Sequence, residues 1–111
     1  MEYSKNNTVC IYSDNITIIK KAESFLKNKS LKIYYADCET DLIGVPYLFA
    51  ITDINKLGDE FFNYLNLLIK DDLVNEERFI SYSEPRSKRS VQYSKYFTID
   101  PDLNLEDVLV V

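Results

Sequence analysis

The stretch AITDINKLGDEFFNYL, residues 50–65, puts one acid, Asp53, at the end of an apolar run and shortly before a helix. Open α/β sheets place their chemistry in the crevice outside the carboxyl ends of the strands. The same pattern occurs earlier, in TVCIYSDNITII (8–19), where Asp14 closes an apolar run and precedes another helix. Two acids in equivalent places have to be explained together.

Working outward from these two segments, TVCIYS (8–13) is β-branched and aromatic and reads as a buried strand. Asp14 then suits the N-cap of a helix over 15–28, with Ile16, Ile19, Ala22, Phe25 and Leu26 on one face and lysines opposite. LKIYYA (31–36) is a second strand, and the ten residues DCETDLIGVP leave room for one helical turn at most. YLFAIT (47–52) is apolar throughout, as expected of a strand covered on both faces. Gly58 and Asp59 open a helix to about Lys70, with Phe61, Phe62, Leu65, Leu68 and Ile69 inward. RFISYS (78–83) and KYFTI (95–99) are the fourth and fifth strands. Between them EPRSKRSVQYS (84–94) is a polar, basic loop or weak helix, and DPDLNLEDVLVV begins a last helix.

Strands alternating with helices imply a doubly wound, all-parallel, five-stranded α/β sheet with right-handed crossovers and a shortened or missing second helix. A ferredoxin-like βαββαβ sheet also tolerates that short connection and is the structural competitor.

The 111 residues form one domain, large enough for a real core without metal or disulfide staples. A composition 46% hydrophobic and 28% charged excludes a mainly disordered chain. The longest nearly apolar run, LIGVPYLFAI, has ten residues, about half of a spanning helix. With a polar N-terminus, MEYSKNNT, the expectation is a cytoplasmic protein with no membrane partner. A net charge of −5 argues against nucleic-acid binding by this domain. The absence of histidine excludes Ser–His and Cys–His nucleophile pairs and imidazole metal sites, leaving only oxygen-bound cations such as Mg2+. Cys10 and Cys38 form no CxxC motif and read as small buried thiols.

With strand order 2-1-3-4-5, strands one, three and four are neighbours, and their carboxyl ends carry Asp14, Asp53 and Ser83. Strand five ends in Asp100-Pro101. Paired carboxylates at such a point can hold Mg2+ and leave one oxygen free to attack a phosphoryl group. Taken singly, Asp14 is equally explained as a helix N-cap and Asp53 as a turn-stabilising residue. The coincidence of the three at strand ends carries the functional reading.

These segments resemble the receiver domain of bacterial two-component response regulators, over residues 8 to 111. CIYSDN resembles the family's first strand, which ends in an acid pair. YLFAITDINKLG resembles its third strand, with the phosphoacceptor aspartate and a glycine five positions on, here Asp53 and Gly58. RFISYSE is similar to the fourth strand, whose terminal hydroxyl is Ser83, and KYFTIDPDLNLEDVL to the fifth strand and final helix. The resemblance implies a flavodoxin-like fold, a metal pair at Asp14 and Asp53, and a switch made of Ser83 and Phe97.

The departures are specific. Ser13 replaces the first acid of the pair, Leu57 the usual proline, and Glu84 the small residue after the switch hydroxyl. Asp100 replaces the lysine that offsets the acceptor's charge, and an aspartate there repels both acceptor and phosphate. Lys56 and Arg86 are the candidate substitute cations. The expectation is therefore an atypical receiver, not an enzyme and without a cofactor, acting in signal transduction or transcription regulation through protein contacts. It would be the N-terminal part of a longer regulator. By resemblance, the partner or a second copy docks on the face of the fourth helix, fifth strand and fifth helix, where Arg86, Lys88, Arg89 and Lys95 form a basic patch. The alternatives are a working Mg2+-dependent phosphoacceptor using Asp53, and a degenerate thioredoxin-like interaction module without redox activity.

Overall fold

The computed structural model describes residues 7–27, 29–44, 47–73, 79–81 and 87–99. The elements are β1 (Thr8–Tyr12), α1 (Ile16–Leu26), β2 (Lys32–Tyr35), α2 (Asp41–Gly44), β3 (Phe49–Thr52), α3 (Asp59–Lys70), β4 (Phe79–Ser81), α4 (Lys88–Gln92) and β5 (Phe97–Ile99). The five strands form one sheet in the order β2-β1-β3-β4-β5, and every pair is parallel. This is the flavodoxin-like doubly wound arrangement. It excludes the βαββαβ and thioredoxin-like sheets, both of which contain antiparallel pairs. The second helix is cut to a single turn, and the final helix expected after Ile99 lies outside the described residues.

Side chains alternate along each strand, so one apolar run feeds two cores. Val9, Ile11, Phe49, Ile51 and Ile80 pack with Ile18, Ala22 and Leu26 of α1. Cys10, Ala50, Phe79 and Phe97 point the other way, onto Leu42 of α2, Phe61, Phe62 and Leu65 of α3, and Tyr93. That second layer is aromatic. Phe79 lies 4.9 Å from Phe97, 5.8 Å from Phe61 and 6.3 Å from Tyr47, ring centre to ring centre. The buried Tyr47 hydroxyl donates to the Leu42 carbonyl and so fastens the α2 turn to the start of β3.

Three expectations need correction. The N-cap of α1 is Asn15, whose Oδ1 accepts from the amides of Thr17 (3.0 Å) and Ile18 (3.3 Å), and not Asp14. Asn and Asp are equivalent caps, so the frame is set by where β1 ends rather than by the acid. Ile16, assigned to the inner face, is 62% exposed because it starts α1 at the carboxyl edge of the sheet. Cys10 is buried as expected, but Cys38 is exposed in the loop after β2, its Sγ 3.1 Å from Thr40 Oγ1.

Helix α3 has Gly58 at its N-cap, with no side chain of its own to cap it. Glu39, from the segment before α2, supplies the acceptor: Gly58 N donates to Glu39 Oε2 at 2.5 Å. A carboxylate at a helix N-terminus is favoured by the macrodipole. A Cβ at position 58 would stand 2.7 Å from Glu39 Oε1, so glycine is what lets the carboxylate approach.

On the opposite side, the Tyr35 hydroxyl donates to Glu23 of α1. That hydrogen bond, then burial, then the Glu23 charge push the Tyr35 phenol up to about 12. A raised folded-state value means that this contribution is fully present below the unfolded tyrosine range, near 10, and is lost as pH rises through about 12. An absorbance titration of phenolate should therefore show a late-ionising component that loses one tyrosine's amplitude in Tyr35→Phe. In Glu23→Gln, which lacks the accepting carboxylate, the late step should move to lower pH.

Candidate functional site

The carboxyl ends of β1 and β3 frame a cleft of about 170 Å³ at the switch point of the sheet, where connections leave in opposite directions. Its walls are Tyr12, Ser13 and Asp14 after β1, Ala36 after β2, and Thr52, Asp53 and Lys56 after β3. Asp14 and Asp53, read from the sequence as a pair, line the same cleft, and Ser13 stands beside them.

Because Asn15 caps α1, the Asp14 carboxylate is left to face across the cleft. Lys56 Nζ donates to Asp14 Oδ1 at 3.0 Å, joining the β1–α1 turn to the β3–α3 turn. The hydrogen bond from Lys56, reinforced by its charge, holds the Asp14 carboxyl below the usual carboxylate range. The side chains are 57% and 77% exposed, so the pair adds little to stability. Its consequence is electrostatic: one of the two cleft carboxylates is already matched by a lysine.

Asp53 is organised differently. Its Oδ1 accepts from Asn55 N and its carbonyl from Lys56 N, both at 3.0 Å. This is an Asx-type turn, the local role the DINK sequence suggested. Ser13 Oγ accepts from Asn15 N at 3.1 Å. Burial, followed by the charges of Glu39, Cys38 and Asp14, raises the Tyr12 phenol at the cleft wall.

Two hydroxyls at the carboxyl ends of β3 and β4 were not singled out from the sequence. Ser81 on β4 is fully buried, and its Oγ accepts from Ile54 N at 2.9 Å, fixing the residue after Asp53. Thr52, its cross-strand partner on β3, is 1% exposed, and its Oγ1 finds no hydrogen-bond partner among the described residues. Replacing an unpaired buried hydroxyl by a methyl removes a desolvation cost, so Thr52→Val should stabilise the protein by about 1 kcal/mol in urea titration. A loss of stability instead would show that the hydroxyl is bonded in solution.

The remaining candidates are scattered. Phe97 is 2% exposed and stacked on Phe79, inside the aromatic core. Ser83, Glu84, Arg86 and Asp100 lie outside the described residues. Of the basic patch, Lys88 is exposed on α4, and the exposed Lys95 sits 5.9 Å from the Tyr96 ring. Arg89 departs from the expected patch: it turns inward onto the β3–α3 turn instead of presenting its charge for docking.

Among the described residues, no three His, Cys, Asp or Glu side chains come together as a metal set. No helix there is long and apolar enough to cross a membrane. The fold and cleft define a flavodoxin-like α/β domain with a charged crevice at its switch point. In comparisons with known proteins, no family model, no curated protein and no solved structure matches the chain.

Proposed function

We propose that the chain is an atypical receiver-type domain that signals through protein–protein contact rather than through ordinary aspartyl phosphorylation, in the cytoplasm and without enzymatic activity. The observation that carries this reading is the Lys56–Asp14 contact at 3.0 Å in a cleft that also holds Asp53. The acids stand where a receiver keeps its metal pair, but a tethered ammonium occupies one of them. A divalent cation fits this donor set poorly. Ser13 replaces an acid, Asp14 is bonded to Lys56, and an Asp53 oxygen is engaged by Asn55 N. Lys56 supplies the positive charge instead.

The output surface in this reading is the face of α4 and β5, used for a protein partner or a second copy. With Arg89 turned inward, that face presents Lys88, Val91 and Lys95 among the described residues.

The test is incubation with Mg2+ and acetyl phosphate, read by intact mass, with Asp53→Asn as control. No Asp53-dependent phosphoryl adduct is expected, and amide signals of Asp14 and Asp53 should not respond to Mg2+. An adduct on the wild type that is lost in Asp53→Asn would establish the alternative, a working Mg2+-dependent phosphoacceptor, and end the proposal.

A further inference from the structure

Helix α4 has five residues, too short to hold its place without tertiary anchors. One anchor is Tyr93, just after it, whose hydroxyl donates to Asn66 Oδ1 at 3.1 Å and whose ring lies 4.7 Å from Phe62. The other is Arg89. Its Nη1 donates to the carbonyls of Ile54, at 3.3 Å, and of Leu57. Its Nη2 lies 3.3 Å from Asp59 Oδ1, and the guanidinium sits 4.4 Å from the centre of the Phe62 ring. The Arg89 side chain is 29% exposed against 95% for Asp59, so the two carbonyls and the ring, rather than the surface ion pair, fix its position.

The two carbonyls flank Lys56. Their side chains, Ile54 and Leu57, are buried in the aromatic core, and the backbone between them carries the lysine that crosses the cleft to Asp14. One nitrogen of a planar, rigid fork can serve both carbonyls only while the turn keeps its closed spacing. Opening the turn breaks both bonds and removes one anchor of α4.

We propose that Arg89 is a positioning residue that couples α4 to the cleft turn, so that a rearrangement around Lys56 changes the order of α4, and engagement of α4 by a partner changes the cleft. Such coupling is reciprocal. It does not depend on whether Asp53 accepts a phosphoryl group, and its failure would leave the proposed function untouched.

The experiment is a cycle on the full chain: Lys56→Met, Arg89→Gln, Arg89→Lys and the double variants, read by amide NMR shifts and hydrogen exchange. In the wild-type background, Lys56→Met should shift the amides of Val91 and Tyr93, and speed their exchange by at least about threefold. In either Arg89 background the same substitution should leave α4 unmoved. Arg89→Gln alone should speed exchange at Asn55 and Lys56 by about tenfold. Arg89→Lys keeps the charge and a stem over Phe62 but loses the fork, and it serves as the background should the glutamine variant not fold. Asp59→Asn removes only the exposed arm and should transmit as the wild type does. An α4 response to Lys56→Met of equal size with and without Arg89, or no α4 response in the wild type, would overturn the coupling.

Discussion

Phe79→Ala is expected to cost about 3–5 kcal/mol, the range for emptying a buried aromatic site that cannot collapse. Phe79 is 2% exposed and stands at the centre of the aromatic layer, in contact range of Tyr47, Phe61 and Phe97. Those three rings come from the lead-in to β3, from α3 and from β5, so relaxation at one wall is opposed by the others. A domain of this size has a total stability of about 5–15 kcal/mol, so the variant should lose about a fifth of it or more. Urea unfolding followed by circular dichroism measures this directly, and Phe79→Leu should recover roughly half of the loss. A cost below about 1 kcal/mol would mean that the aromatic layer is not packed as described.

Ser81→Ala should cost about 1–3 kcal/mol, because it leaves the buried amide of Ile54 without its acceptor. The informative comparison is with the residue beside it. Thr52 and Ser81 are register partners on adjacent parallel strands, both buried, and they differ in whether the hydroxyl is bonded. Deleting one hydroxyl should destabilise and deleting the other should stabilise. Equal signs in denaturant titrations would contradict the bonding pattern. Ser81→Ala should also loosen the turn that follows Asp53, visible as faster exchange at Asn55 and Lys56.

The sheet was legible because apolar runs of strand length lie between amphipathic helical stretches, and parallel strands need crossovers. The shortened second helix followed from the ten residues available. Asp14 and Asp53 were legible as strand-end acids. What was not legible is physically specific. Asn15 and Asp14 are equally good caps, so sequence could not decide which of them the helix would take. The inward turn of Arg89 left no trace because its acceptors are backbone carbonyls, present at every position and marked by no residue type. The contrast between Thr52 and Ser81 depends on which amide the turn after Asp53 brings over β4, a matter of three-dimensional placement. Lys56 was a candidate cation in the sequence, but its target, Asp14, is 42 positions away and emerged only with the turn geometry.

The unequal chemistry of the two layers has a spectroscopic consequence. The chain has no tryptophan, so its near-ultraviolet signals come from tyrosine and phenylalanine. The buried tyrosines among the described residues, Tyr47 and Tyr93, both belong to the layer formed with α3 and α4. The layer beneath α1 is mostly aliphatic and speaks instead through the methyl resonances of Val9, Ile11, Ile18, Ile51 and Ile80. Each side of the sheet therefore carries its own reporter. Ring resonances of Tyr47 and Tyr93 and methyl resonances of the other layer, recorded through one melt, would time the two sides separately, and a lag between them would expose a half-dismantled sheet that either reporter alone would miss.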